Sequence, residues 1–209
     1  MQRMNNIDSF RKDSITPFPH IIIDDFFDED YYRKLVNVIH EDTSEPLHLP
    51  DEPCYPDQQH IVDISKTTQN SSFWEGFMQK MSSEAMLQYL KDVCDLQYSI
   101  NKIAYTIHKD KKGFWRGQHN DIKSWNKEMV SLQIYCPTNN DLEHTGTWLG
   151  EEGDDSTQIE FIPNRAWIFK SSEYSIHRVK PIEEDTTDRN SILIKYCVKN
   201  KIRWGANNE

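Results

Sequence analysis

The chain is short of several things, and each shortage removes a class of protein. No run of 18 apolar residues occurs, so a membrane-spanning helix is not expected. The first residues, Met1 to Asp8, contain no apolar stretch of the kind that directs secretion. The four cysteines, Cys54, Cys94, Cys136 and Cys197, are widely spaced with no C-x-x-C pair, which argues against a zinc site or a thioredoxin-like centre. They read as reduced thiols in or near a core. Positive charge is scarce as well. The 24 Lys and Arg against 34 Asp and Glu argue against a broad basic footprint for duplex nucleic acid. Neither an internal repeat nor a low-complexity tract is present, so a solenoid is not expected. Together these absences point to a cytoplasmic globular protein with no membrane partner and argue against a nucleic-acid partner; a monomer or homodimer is expected.

What is present fits a single domain, since 209 residues suffice to bury a core without disulfides or structural metal. An extended run, Pro17 to Asp24, leads to a segment from Asp28 to Ile39 that opens with acidic residues. That segment places Tyr32, Leu35, Val36 and Ile39 on one helical face. The stretch from Asp42 to Gln69, with Pro46, Pro50, Pro53 and Pro56, is expected to be a long surface loop, of the kind that often covers a binding site. Two further helices are expected from Ser72 (Phe73, Trp74, Phe77, Met78, Met81) and from Ser83 (Met86, Leu87, Leu90, Val93, Cys94). Their apolar stripes suit a supporting layer. From Tyr98 the period changes to two. Ile103, Tyr105 and Ile107 alternate with Lys102, Ala104 and Thr106, Val130, Leu132 and Ile134 alternate with Ser131, Gln133 and Tyr135, and further strands are expected at 158–162, 166–170, 174–180 and 191–198. Helices followed by a run of antiparallel strands imply an α+β domain whose β part is a sandwich or barrel.

Three residues in that β part stand out. His119 and Asp121 are two apart, so in an extended segment both point to one side, and His177 follows fifty-six residues later on another expected strand. Two histidines and one carboxylate suit an iron(II) site with open coordination positions. Arg189 and Ser191 begin the last strong strand on one face, while Ile192, Ile194, Tyr196 and Val198 take the other. An arginine directed into an apolar barrel is costly unless it grips an anion, and its planar fork suits a carboxylate. Tyr135 belongs to the polar set Ser131, Gln133, Tyr135. It could line the same pocket and donate to a carboxylate, or pack as a core aromatic. The segment His108 to Gly117 mixes cations with Phe114 and Trp115; a solvated hairpin explains it more simply than a nucleic-acid strip.

His119-x-Asp121, then His177, then Arg189-x-Ser191 resembles the iron(II) and 2-oxoglutarate-dependent oxygenases, with the prolyl 4-hydroxylase-like branch nearest. Pro17 to Phe26 is similar to their entry strand and turn, and Phe161 to Phe169 to the strand pair before the distal histidine. The resemblance spans about 17–198. It implies a double-stranded β-helix, or jelly roll, backed by N-terminal helices, with iron(II) held by His119, Asp121 and His177. It also implies that 2-oxoglutarate has its distal carboxylate on Arg189, assisted by Ser191 and with Tyr135 a further candidate, and that O2 is consumed. The implied activity is hydroxylation of a C–H bond in an amino-acid side chain of a protein, a peptide or a free metabolite, with release of succinate and carbon dioxide. Two segments depart from the family: Thr186-Thr187-Asp188 stands where a glycine-rich turn is common, and His144 to Leu149 where a Gly-Gly-Glu-Thr-like run is common. Two alternatives remain beside it: a zinc hydrolase using the same triad, and a non-catalytic β-barrel binding module.

Overall fold

A computed structural model describes residues 11–45, 59–124, 129–153 and 156–198. Strands β1 (Arg11–Ser14) and β2 (His20–Ile23) precede helix α1 (Glu29–Glu41). The Asp28 side chain accepts from the Tyr31 N–H at 2.9 Å and so caps that helix, with Glu29 and Asp30 in its first turn, where negative charge meets the positive end of the helix dipole. Strand β3 (Gln59–Asp63) leads to α2 (Ser71–Met81) and α3 (Glu84–Val93). The β part follows: β4 (Ile100–Asp110), β5 (Arg116–His119), β6 (Met129–Tyr135), β7 (Thr147–Leu149), β8 (Thr157–Ile159), β9 (Ala166–Lys170), β10 (His177–Val179) and β11 (Arg189–Val198). Among the described residues no helix is long and apolar enough to cross a membrane.

The strands form two sheets, one in the order β1-β2-β9-β6-β11-β4-β3 and one in the order β5-β10-β7-β8. This is the two-sheet α+β arrangement expected of a double-stranded β-helix. The outer face of the large sheet carries Ile107, Leu132, Ile134, Ile168, Ile192 and Ile194 into one cluster with Leu35 and Ile39 of α1, Trp74 and Phe77 of α2, and Met86 and Leu90 of α3. Burying each such side chain contributes about 1.5–3 kcal/mol, so the helices are the support on which the large sheet rests. A second cluster, Phe18, Tyr135, Leu142, Leu149, Ile159, Phe161, Trp167 and Phe169, lies with the opposite set of side chains.

The expected loop from Asp42 to Gln69 needs correction. Residues 46–58 lie outside the described residues, but Gln59–Asp63 is a strand paired with β4, followed by a 3-10 turn at Ile64–Lys66. The edge pairing, a tertiary effect, overrides the proline-rich context. The expected solvated hairpin at 108–117 is also only partly so: His108 and Asp110 end β4, Arg116 begins β5, and Phe114 is buried. Cys94, Cys136 and Cys197 are free thiols, the last two buried, and burial pushes the Cys136 thiol up; Cys54 lies outside the described residues.

Candidate metal centre

Backbone pairing brings the two histidines together. His177 on β10 is the direct cross-strand partner of His119 on β5, and their ring centroids are 4.2 Å apart. Strand β5 ends at His119, and Asp121 opens a short 3-10 turn, Asp121–Ser124. The convergence of Asp121 on the histidines is therefore made by a turn after one strand residue, not by the extended i, i+2 geometry expected. Ligand atoms of His119, Asp121 and His177 all lie within 4.8 Å of one another.

Each imidazole is oriented by its own backbone. His119 Nδ1 is 2.8 Å from the Gly117 carbonyl and His177 Nδ1 is 2.9 Å from the Ser175 carbonyl. A carbonyl only accepts, so the proton sits on Nδ1 and the Nε2 lone pair of each ring is left for a metal. Burial, with His177 nearby, pushes His119 down to about 4, and burial lowers His177 as well. Both rings are held neutral, the state a metal requires. Burial pushes the Asp121 carboxyl up, but Lys195, the two histidines and the Ser131 hydrogen bond together hold it below the usual range. Ser131 Oγ donates to Asp121 Oδ2 at 3.1 Å, and Lys195 Nζ lies 3.5 Å from Oδ1. Two imidazole nitrogens and one ionised carboxylate, each steered by a neighbour, form a donor set that fits iron(II).

The triad lines a cavity of about 110 Å³ together with Gln133, Thr147, Trp167, Arg189 and Lys195. Arg189 is buried and does grip an anion, as its position in an apolar barrel required. That anion is internal: Nη1 donates to Asp110 Oδ2, Nε and Nη2 donate to the Thr145 carbonyl at 3.1 and 2.8 Å, and the guanidinium lies over the Phe161 ring at 4.8 Å. Ser191 Oγ accepts from Gln133 Nε2 at 3.1 Å, and Gln133 Oε1 accepts from Trp167 Nε1 at 3.1 Å. Tyr135 is fully buried in the apolar cluster and its hydroxyl donates to Thr147 Oγ1 at 2.8 Å. Ser191 and Tyr135 are thus each bonded directly to a cavity-lining residue, Gln133 and Thr147, and reach the cavity through it. Sequence reading missed Lys195, Ser131 and Asp110. The first continues the alternation of Arg189 and Ser191, and the second stands two residues before Gln133 in the same polar set; Asp110 continues the polar side of the alternation seen at Ile103, Tyr105 and Ile107.

No family model matches the sequence, and no curated protein matches it. Solved structures do. An oxidoreductase of the 2OG-Fe(II) oxygenase family from Burkholderia pseudomallei superposes with a TM-score of 0.59 at 13% identity, covering 85% of this chain and 84% of that one. A prolyl hydroxylase from Trichoplax adhaerens, in complex with a peptide fragment of the hypoxia inducible factor oxygen degradation domain, gives 0.59 at 15%, covering 93% and 87%. A Pseudomonas putida prolyl-4-hydroxylase gives 0.58 at 14%, covering 96% and 100%. The chain has the fold of the 2-oxoglutarate and iron(II) oxygenases. On that oxygenase fold, a jelly roll, the cavity with the triad lies on the inner face of the large sheet, and the helices pack on its outer face.

Proposed function

We propose that this protein is an iron(II)- and 2-oxoglutarate-dependent dioxygenase that hydroxylates a C–H bond of an amino-acid side chain, in a protein, a peptide or a free metabolite. The observation that carries the reading is the triad: His119, Asp121 and His177 meet at one point with both histidine Nδ1 protons committed to backbone carbonyls. His119 and His177 would hold the metal through Nε2 and Asp121 through its carboxylate. When bound, iron(II) with 2-oxoglutarate and O2 supplies the oxidising power for hydroxylation, with succinate and carbon dioxide released. Ser131 and Lys195 keep the Asp121 carboxylate ionised and oriented. Trp167 and Phe169 pack edge-on against the His177 ring and exclude water from that side. Arg189 is the cosubstrate anchor, with Ser191 and Tyr135 behind it. A peptide substrate is supported by the likeness to two prolyl hydroxylases, one of them holding a peptide.

Anaerobic titration of the protein with iron(II) and 2-oxoglutarate tests the assignment. A weak visible charge-transfer band of the chelate is expected, together with iron-dependent succinate release stimulated by the right amino acid or peptide. Failure to form the band, with no succinate released under air, would remove the reading. A zinc hydrolase built on the same triad is a second reading, and one observation favours it: Arg189 already has partners in Asp110 and the Thr145 carbonyl. Activity with zinc and without 2-oxoglutarate would decide for it.

A further inference from the structure

Gln59, Asp110 and Arg189 lie side by side across three strands. Gln59 on β3 is the register partner of Asp110 on β4, and Asp110 is the register partner of Arg189 on β11. Residues directly opposite in an antiparallel pair have Cβ atoms about 4.5–5.5 Å apart, so the contact between these side chains is imposed by the sheet. Both carboxylate oxygens of Asp110 are taken: Oδ2 accepts from Arg189 Nη1, and Oδ1 accepts from Gln59 Nε2 at 2.6 Å. Asp110 and Arg189 are 4% and 2% exposed, and both line the cavity that holds the metal triad.

The Asp110 carboxylate therefore stands against the guanidinium on which a 2-oxoglutarate reading places the distal carboxylate of the cosubstrate. Burial pushes the Asp110 carboxyl up while Arg189 and Gln59 pull it down; as an ion pair Arg189 and Asp110 carry no net charge, so a second carboxylate arriving there finds its counter-ion already shared. Among the described residues two further cations, Arg116 and Lys195, line the same cavity. Lys195, on the same face of β11, is six residues further along, roughly 20 Å of strand, and its ammonium is beside Asp121 at the metal end.

We propose that Asp110 is a specificity-determining residue: an internal carboxylate that competes with the distal carboxylate of a 2-oxoacid for Arg189, so that the pocket discriminates only weakly in favour of dicarboxylic 2-oxoacids. The proposal rests on the oxygenase reading and refines its cosubstrate end. Asp110→Asn keeps the side-chain shape, and the introduced amide can still pair with that of Gln59. It leaves the Arg189 charge uncompensated, so the buried guanidinium then demands an external anion.

The test is calorimetric binding to the full-length, metal-loaded protein under anaerobic conditions, with 2-oxoglutarate and with 2-oxobutyrate, the comparable 2-oxoacid lacking the distal carboxylate. Wild type is expected to prefer 2-oxoglutarate by no more than about tenfold, and Asp110→Asn to bind 2-oxoglutarate about tenfold or more tightly than wild type while 2-oxobutyrate is unchanged. A wild-type preference of about a hundredfold or greater overturns the proposal even where the variant does not fold. So does a folded Asp110→Asn whose affinity for 2-oxoglutarate is unchanged or weaker. In both cases binding of a 2-oxoacid leaves the oxygenase reading standing. If neither 2-oxoacid binds metal-loaded wild type or variant, the oxygenase reading falls and takes this one with it.

Discussion

His119 and His177 face each other across the β5–β10 ladder, each donating its Nδ1 proton to the carbonyl two residues before it. The two strands thus hold two nearly equivalent imidazoles in register, with their free nitrogens turned toward Asp121. The strength of the centre depends on all three members. His177→Ala or Asp121→Ala should weaken iron(II) binding by more than the roughly 100-fold upper limit typical of losing a supporting partner. Competition with a chromophoric chelator measures it, and a variant that binds iron(II) like wild type would remove that residue from the ligand set.

The supporting partner of the carboxylate is Ser131. Its hydroxyl holds Asp121 Oδ2 from strand β6 of the large sheet. Ser131→Ala should lower metal affinity by about 10–100-fold while leaving the fold intact. Chelator competition reads the first quantity and the urea midpoint the second. Equal metal affinity in the two proteins would show that Lys195 alone suffices to orient the carboxylate.

Acid should loosen the metal-free protein in a defined window. An unfolded histidine takes up its proton near pH 6.5, whereas burial and His177 hold folded His119 down at about 4, and burial lowers His177 too. Between these values the unfolded chain binds protons that the folded chain refuses, so stability rises with pH there and is lost as pH falls from about 6.5 toward 4. The urea midpoint of the metal-free protein should therefore drop on going from about pH 7 to 5, and His119→Gln should flatten the drop. An identical slope in wild type and variant would place the acid sensitivity elsewhere.

Gly146 joins the 3-10 turn Glu143–Thr145 to β7, and a Cβ added there would overlap the Ile159 carbonyl and crowd the Phe161 backbone. Because both obstacles are backbone, neither can rotate away. Gly146→Ala should cost about 3 kcal/mol and should also shift Thr145, whose carbonyl holds two of the Arg189 donors. Chemical denaturation gives the first effect. A loss of 2-oxoacid affinity at unchanged metal affinity gives the second.

The alternation of Val130, Leu132 and Ile134, and of Ile192, Ile194 and Tyr196, was enough to assign the central strands and their faces, because a half-buried sheet writes its period directly into the sequence. The convergence of the triad was legible from the order and spacing of its residues, although only His119 and His177 lie on strands and Asp121 opens a turn. Gln59–Asp63 was not, since its strand character comes from pairing with β4 and not from its own composition. The contact of Asp110 with Arg189 was equally hidden. Seventy-nine residues separate them, and only the register of β4 on β11 decides which residue stands opposite which. Tyr135 illustrates the same limit: the face was readable, but whether the hydroxyl met the cavity or Thr147 depended on where β7 docks.

Strand β11 sorts its residues by parity. Even-numbered Ile192, Ile194, Tyr196 and Val198 meet the helical layer, while odd-numbered Arg189, Leu193 and Lys195 line the cavity. Heritable change along this one strand can thus proceed on two separate tracks, with odd positions free to retune chemistry while even positions keep the molecule assembled. A library randomised across β11 would be expected to split into melting phenotypes and selectivity phenotypes according to whether the altered number is even or odd.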